Sequence, residues 1–391
     1  MRKLFGTVLK GDVAIWVLTF VMLGVSVLTV YSFVPILVKM QGGSELSYLL
    51  KHVFYIILAI GVMIWAHRRD TILLRRYARF IFYTACGLML FTMFFGQRVN
   101  EAGRWVSIPF VGLTFQPSDF AKIALVILIS HNLTKFESSI KEWKVASRVL
   151  LAPIVVLFLL IFKDNFSTAA IVFMLAMTLL FVGMVPIKHI IKLFVIGIAA
   201  FMLAVAVQKT FPAVKVLPRL ETWINRISNK YADASQVDLA GNLQQKNAEQ
   251  AIHLGGVFGQ GAGKGKVKEF IPEAYADFYY ASFVEEFGLL FAIVLTLSYL
   301  VFLFRIFRIG LSADDTFDTY LCIGIGLIIL SQATVNILVC VGIFPVTGQN
   351  MPLLAMGGSA MIATCLSLGI VQSIARKKDK SKSSFDTNKV V

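Results

Sequence analysis

The sequence predicts an all-α polytopic membrane protein with about ten transmembrane helices and one large extracytoplasmic loop between spans seven and eight. Of its 391 residues, 58% are hydrophobic and 15% are charged, and the mean hydropathy is +0.78. Apolar runs of about 20 residues, long enough to cross a bilayer as a helix, recur along the whole chain. A soluble domain of this size would expose far more charge, so the apolar surface must be buried in lipid and between helices.

The predicted spans follow from hydropathy and helical length. They cover residues 13–38, 47–66, 77–96, 117–133, 147–163, 167–185, 188–208, 279–304, 316–342 and 352–375. Since the first span is too long and no small-residue cleavage site follows it, no cleavable signal peptide is expected. Residues 1–375 form one transmembrane domain with a loop at about 208–278, and residues 376–391 form a basic cytoplasmic tail that we expect to be disordered.

The net charge of +15 is distributed as a topology signal rather than as a nucleic-acid-binding surface. If ten spans alternate, the basic residues that flank them fall on one side, as the positive-inside rule requires. These residues are Arg2, Lys3, Lys10, Arg68, Arg69, Arg75, Arg76, Lys135, Lys141, Lys144, Arg148, Arg305, Arg308 and the RKKDKSK tail. The pattern predicts an integral membrane protein with both termini cytoplasmic, the long loop outside, and no nucleic acid as partner.

The cysteines and histidines indicate neither a disulfide framework nor a metal centre. All four cysteines, Cys86, Cys322, Cys340 and Cys365, lie within or at the edges of apolar spans, so the outer loops contain none. The five histidines are scattered without metal-ligand spacing. No zinc site is predicted.

The end of the long loop concentrates carboxylates where the next span begins. Glu269, Glu273 and Asp277 are spaced four residues apart, so one helical turn would bring them onto a common face. Crowded carboxylates have raised pKa values and suit a general base or a cation site. For Asp277 alone, capping of the following helix is the simpler interpretation. Glu285 and Glu286 lie about two turns inside the apolar run, where an ionised group is costly and by default functional.

Two other outward segments carry candidate substrate-binding residues. Arg104 and Trp105, at the exit of the third span, are typical interfacial anchors. A cation beside a flat ring also suits a substrate that bears phosphates and sugar rings. Lys122 lies inside the fourth span and needs an anionic partner, either Asp119 one turn earlier or a substrate pyrophosphate.

The glycine-rich segment HLGGVFGQGAGKGKVK (His253–Lys268) does not match a nucleotide-binding phosphate loop, because the spacing differs and no strand precedes it. Its glycines predict tight turns. Its lysines Lys264, Lys266 and Lys268 would meet lipid phosphates or be solvated. Further on, Gly357–Ser359 predicts close helix packing.

Four motifs occur in a characteristic order: GRW…QPSD…K, GG..G.G.GKGK, PEAYADF…EEFG and N…G.FPVTGQNMPLLAMGGS. In order and in predicted side of the membrane, they resemble the SEDS proteins (shape, elongation, division and sporulation). The resemblance extends from Gly11 to Arg376. The KGDVAIW start, the RLETWINRI segment and FPVTGQ are closer to the division branch of that family than to its elongation branch.

The resemblance implies a bacterial peptidoglycan glycosyltransferase in the cytoplasmic (inner) membrane, at the division septum, that polymerises lipid II outside. It assigns the essential Asp of the family to Asp277 and two loop glutamates to Glu269 and Glu273. The family's Arg-Trp pair corresponds to Arg104 and Trp105. Its QPSE…K element corresponds to Gln116, Pro117, Ser118, Asp119 and Lys122, with Asp in place of Glu.

In the implied mechanism, Asp277 takes the proton from the 4-hydroxyl of the acceptor sugar, which attacks the donor with inversion and forms a β-1,4 link. Undecaprenyl pyrophosphate leaves, and Arg104, Lys122 or a loop lysine such as Lys264 offsets its charge. No cofactor is obligatory. A divalent cation, Mg²⁺ or Mn²⁺, held by Glu269, Glu273 or the pyrophosphate is compatible with the sequence, although no dedicated cage exists. The implied partners are a class B penicillin-binding protein transpeptidase and other divisome proteins.

The sequence departs from the family pattern at several positions, and alternatives remain. Tyr275 and Ala276 stand where His-Thr is usual, KDNFST replaces PDxGT, and AMGGSA replaces SYGGSS. The alternatives are a lipid II flippase, an elongation-type polymerase, and a scaffold that recruits a transpeptidase. The concentration of polar residues on the outward side favours the enzyme over the flippase, and the carboxylates disfavour the scaffold.

Overall fold

The computed structural model describes residues 9–99, 102–108, 113–163, 165–210, 239–271 and 273–387, and it is predominantly helical, as predicted. The helices are α1 (Val13–Gln41), α2 (Glu45–Arg68), α3 (Thr71–Phe95), α4 (Pro117–Lys135), α5 (Trp143–Phe162), α6 (Phe166–Val182), α7 (Ile187–Thr210), α8 (Leu239–Gly255), α9 (Tyr279–Leu311), α10 (Thr316–Cys340) and α11 (Gly358–Thr387). A π-helical stretch, Ser147–Leu151, interrupts α5.

Each predicted span coincides with a helix. Within the described ranges, seven helices are long and apolar enough to cross a membrane by length and composition: α1, α2, α3, α5, α9, α10 and α11. The remaining three predicted spans fall on α4, α6 and α7, so the count of ten crossings stays a prediction. The last span begins later than predicted, because residues 352–357 belong to the loop before α11.

The C-terminal segment differs from its prediction. We expected disorder from Arg376 onwards, but α11 continues to Thr387. The physical reason lies in the sequence, since neither Gly nor Pro occurs between Arg376 and Thr387 to end the helix.

Ion pairs join helices at one end of the bundle, which we name the basic end. They link the starts of α1, α3 and α10 with one another and with the later turns of α9 and α11. The pairs are Arg305–Asp12 (2.8 Å), Arg75–Asp315 (2.9 Å), Arg376–Asp70 (3.3 Å) and Lys377–Asp318 (3.1 Å). Asp12 and Asp315 also cap α1 and α10, since they accept from the amides of Ile15 and Phe317. The opposite end, where α9 and α11 start, is named the loop end.

The core of the bundle is built around α4, α10 and α11, whose residues are mostly buried. Small residues allow close approach: a Cβ on Gly369 of α11 would overlap the carbonyl oxygen of Met63 in α2, and one on Gly324 of α10 would overlap Val126 of α4. The outer helices expose large apolar side chains, as lipid-facing helices do.

A small antiparallel sheet joins α3 to α4 and was missed by the all-α prediction. Its strands are β1 (Gln97–Val99), β2 (Ala102–Ile108) and β3 (Leu113–Phe115), in that order. The register pairs Val106 with Phe115 and Ile108 with Leu113. Aromatic and β-branched residues in the RWVSI run favour a strand, and the Tyr55 hydroxyl of α2 accepts from the Thr114 amide (3.3 Å).

Helix α9 is broken nine residues after its start, at Gly288, which has φ 83° and ψ 171°. The glycine-rich segment fills the break. The amides of Gln260 and Gly261 donate to the carbonyls of Glu285 and Glu286, each at 2.9 Å, while the amides of Leu289 and Leu290 donate to residues 256 and 257. The interrupted backbone groups are therefore satisfied by protein, which a broken helix at membrane depth requires.

Candidate functional site

The turn before α9 holds Asp277 at the loop end. Ile271, Ala274 and Phe278 are buried and anchor the turn, whereas Glu273 is exposed and Asp277 is half-buried. The amide of Asp277 donates to the carbonyl of Glu273 (3.0 Å), and Glu273 has a left-handed φ of 56°. The carboxylate of Asp277 is thus presented from a compact, anchored turn.

One buried side chain of α10 fixes this turn. The amide nitrogen Nδ2 of Asn336 donates to the carbonyls of Ala276 (3.2 Å), Asp277 (3.0 Å) and Gln349 (2.8 Å). Its Oδ1 accepts from the amide of Tyr280 (3.3 Å) in the first turn of α9. Asn336 therefore ties the backbone of Asp277 to α10 and to the loop before α11.

The loop at 341–357 supports the same turn from a second side. The Met356 amide donates to the Tyr275 carbonyl (3.1 Å), and Gln349 Nε2 donates to Thr168 Oγ1 (2.7 Å) at the start of α6. The contacts of Met356 with Tyr275 and of Asn336 with Ala276 use the main chain of the turn. Replacement of the family's usual His-Thr pair therefore leaves the positioning contacts intact.

The same loop is also held from α1. Ser26 Oγ donates to the Leu354 carbonyl (2.7 Å) and lies 3.0 Å from His52 Nε2. All three residues are buried. The backbone that contacts the Asp277 turn is therefore fixed from α1 and α2 as well as from α10.

The expected common helical face for Glu269, Glu273 and Asp277 is wrong. Glu269 lies in a short 3₁₀ turn, Val267–Phe270, and Glu273 and Asp277 lie in a separate turn before α9 begins at Tyr279. Pro272 lies between Glu269 and Glu273 in the sequence and has no amide to donate, which explains why no continuous helix joins them. The N-cap position of α9 belongs to Phe278, one residue beyond Asp277.

Glu285 and Glu286 form a buried cluster with the glycine-rich segment. Glu286 forms an ion pair with Lys268 and accepts from Ser32 Oγ, and Lys268 Nζ also donates to the Ser32 carbonyl (3.0 Å). Glu285 accepts from the amides of Val267 (2.8 Å) and Lys268 (3.1 Å). The expectation that Lys268 is solvated or meets lipid phosphate is therefore wrong, because its charge is paired inside the protein.

Lys122 has a protein partner. Its Nζ lies 3.0 Å from Asp119 Oδ1, both side chains are buried, and Asp119 Oδ2 accepts from Ser359 Oγ of α11 (3.1 Å). Of the two expected partners, Asp119 is therefore confirmed, and a contact of Lys122 with a pyrophosphate stays a prediction. Gln116 and Ser118, at the start of α4, hydrogen-bond to each other (3.0 Å).

The remaining predicted binding residues lie in strand β2 and in the glycine-rich segment. Trp105 lies half-buried in β2; the backbone of Arg104 is in the same strand, and its side chain lies outside the described part of the structure. Lys264 is exposed in a turn of the glycine-rich segment, where its amide donates to the Gly261 carbonyl (3.0 Å). Neither Trp105 nor Lys264 takes part in the hydrogen bonds that hold Asp277.

No group of three or more His, Cys, Asp or Glu side chains that could hold a metal ion occurs among the described residues. A divalent cation shared with a substrate pyrophosphate therefore stays a prediction.

The sequence analysis did not identify Asn336, Gln349 and Ser32 as residues that build the site. For Asn336 a signal existed: with Gln332, it is one of two amide side chains within the same apolar span, where polar groups are costly.

The fold and the site define a polytopic helical membrane protein with an aspartate whose backbone is fixed at the loop end. The sequence profile of the FtsW, RodA and SpoVE family of cell cycle proteins matches residues 12–380, so the chain belongs to that family.

Relatives of similar length include two proteins named probable peptidoglycan glycosyltransferase FtsW. The protein from Coxiella burnetii is 26% identical, over 93% of this chain and 96% of its own length. A protein from Geobacter sulfurreducens is 28% identical, over 94% and 96%. A third FtsW of the same name, from Caulobacter vibrioides, is 30% identical over 78% of this chain and 73% of its own length.

Solved structures share the fold. A chain of a peptidoglycan synthase complex, described for its coordination of polymerization and crosslinking, superposes with a TM-score of 0.73 at 20% identity, over 94% of this chain and 98% of that one. The Rod shape determining protein RodA of Thermus thermophilus superposes with a TM-score of 0.64 at 19% identity, over 94% and 97%.

Proposed function

We propose that this chain is a peptidoglycan glycosyltransferase of the division type that polymerises lipid II into β-1,4 glycan strands. Family membership and similarity to proteins named probable peptidoglycan glycosyltransferase FtsW support the reaction class. One structural observation carries the site: Asp277 is half-buried at the loop end, and Asn336 and the loop at 341–357 fix its backbone.

In the proposed reaction, the Asp277 carboxylate accepts the proton of the acceptor's 4-hydroxyl. The oxygen forms a bond to the anomeric carbon of the donor, the bond from that carbon to the pyrophosphate breaks, and the configuration inverts. A fixed backbone at Asp277 supports this step, because positioning of the base near the reacting hydroxyl lowers the barrier. Since Asp119 already balances the charge of Lys122, Arg104 and Lys264 are the better candidates to offset the charge of the leaving pyrophosphate.

The orientation proposed here puts the loop end outside and both termini in the cytoplasm. The ion-paired basic end supports this, because basic residues are retained on the cytoplasmic side. The protein would act at the septum beside a crosslinking partner, a class B penicillin-binding protein. Similarity to a chain of a peptidoglycan synthase complex supports such a partner.

The test compares purified wild-type protein with Asp277→Asn in an assay with lipid II. The variant removes the base but keeps the size of the side chain, so polymer yield should fall by about 10²–10⁴-fold while thermal stability is kept. Asp314→Asn is the matched control, because Asp314 is exposed at the basic end. Normal polymerisation by Asp277→Asn would overturn the assignment of the base.

The same preparation distinguishes a polymerase from a flippase. Reconstituted vesicles with labelled lipid II report transfer between leaflets, and gel analysis reports polymer. Polymer from wild type supports the glycosyltransferase. If lipid II moves between leaflets without forming polymer, and Asp277→Asn does not change that transfer, the protein is a flippase and the glycosyltransferase proposal is overturned.

A further inference from the structure

An open cavity of about 430 Å³ lies at the basic end between α3 and α4, away from the Asp277 site. Its lining is basic apart from Ile72, and consists of Arg75, Arg76, Arg79, His131 and Lys135. The sequence brings these groups together by helical spacing. Arg75, Arg76 and Arg79 share one side of the first turns of α3, and His131 and Lys135 are four residues apart in the last turns of α4.

The charges of this basic cavity are poorly balanced by protein. Arg75 pairs with Asp315 (2.9 Å), which is the one ion pair of the cavity within the described ranges. The nearby Glu137 is exposed and lies two residues beyond Lys135. Uncompensated cations that converge on one cavity repel each other, so an anion there is strongly favoured. His131 Nδ1 is buried and has no hydrogen-bond partner among the described residues.

The surface beside the cavity indicates which anion. On α3, Phe80 and Tyr83 follow Arg76 at intervals of four and seven residues, so they continue the face of Arg76 along the helix. Both are strongly exposed, as side chains in contact with lipid are. A ligand with a phosphate at the cavity and acyl chains along this stripe would contact both surfaces.

We propose that the basic cavity binds the phosphate headgroup of an anionic phospholipid, whose acyl chains pack along the exposed α3 stripe. Arginine donates in a planar fork that suits phosphate oxygens, and basic pockets between transmembrane helices bind anionic headgroups in this way. The site is separate from the glycosyltransferase site and does not depend on it.

The test uses full-length protein in detergent, mixed with phosphatidylglycerol or phosphatidylcholine, with bound lipid counted by native mass spectrometry. Wild type should retain phosphatidylglycerol in preference to phosphatidylcholine. Arg76→Gln/Arg79→Gln should weaken retention of phosphatidylglycerol by about fivefold for each cation removed. Lys188→Gln/Arg308→Gln is the matched control, because it removes two exposed cations at the same end but outside the cavity.

Selective loss in the cavity variant, with the control unchanged, supports the site. Equal loss in both variants would show a diffuse electrostatic effect and overturn it, as would equal retention of the two lipids by wild type. Glycerol 3-phosphate, a soluble phosphate without acyl chains, is added as a competitor. If it displaces phosphatidylglycerol at equimolar concentration, the cavity recognises a free phosphate, and the assignment to a lipid is overturned.

Discussion

Two groups of carboxylates lie near the start of α9, and their surroundings differ sharply. Glu285 and Glu286 are buried. Within the glycine-rich segment, backbone amides donate to Glu285 and Lys268 forms an ion pair with Glu286. Asp277 is half-buried and Glu269 and Glu273 are exposed, on a turn whose backbone is fixed. Glu285 and Glu286 therefore hold the glycine-rich segment against α9, whereas Asp277, Glu269 and Glu273, which we name the rim carboxylates, lie where solvent can reach them.

The largest effect on stability should come from breaking the buried ion pair. Lys268→Ala leaves Glu286 buried without its cation, and loss of one partner of such a pair costs about 3–5 kcal/mol. Thermal unfolding in detergent measures the loss. The double variant Lys268→Met/Glu286→Gln should recover most of it, because no isolated charge remains.

Lys264→Ala is the control for that comparison. Lys264 is exposed in the same segment, so its change in stability should stay within about 0.5 kcal/mol. Equal destabilisation by Lys264→Ala and Lys268→Ala would contradict the stabilising role assigned to the buried ion pair.

The buried cluster could be predicted only in part from sequence. The cost of Glu285 and Glu286 in an apolar span was evident from the sequence. Their partners, however, depend on the break at Gly288, on the fold of residues 256–268 and on Ser32, which is 254 residues from Glu286 in the chain. Helix positions were predictable because each apolar run carries its own signal. The spacing argument for Glu269, Glu273 and Asp277 failed because it assumed a helix across Pro272.

The next largest effect should come from the close approach that fills the break in α9. Gly259 has φ 79°, and a Cβ there would overlap the carbonyl oxygen of Glu286. Gly259→Ala combines left-handed strain with this overlap and should cost about 2–4 kcal/mol. Gly263→Ala is matched, since Gly263 has φ 77° but open space around its Cβ position, and it should cost about 1–2 kcal/mol. Equal costs in thermal unfolding would contradict the role assigned to close approach.

A smaller change in stability, with a larger change in activity, is expected at Asn336. Asn336→Ala leaves buried backbone groups without partners and should cost about 1–3 kcal/mol. Because the carbonyl of Asp277 loses its donor, turnover with lipid II should fall by about tenfold or more, with little change in KM. Gln332→Ala, one turn earlier and also buried, is the control. A parallel fall in turnover for both variants would make the effect of Asn336 merely structural.

The smallest effect on stability should come from substitution of the exposed rim carboxylates Glu269 and Glu273. Glu269→Gln and Glu273→Gln remove charges that are exposed, so each should change the free energy of unfolding by less than about 0.5 kcal/mol. Their effect on function depends on whether these carboxylates help to hold a divalent cation with the substrate pyrophosphate. If they do, the double variant should need a higher Mg²⁺ concentration for half-maximal polymerisation, while Asp277→Asn stays inactive at every Mg²⁺ concentration. An unchanged Mg²⁺ requirement would show that Glu269 and Glu273 do not help to hold the cation. Of the three rim carboxylates, only Asp277 would then take part in the reaction.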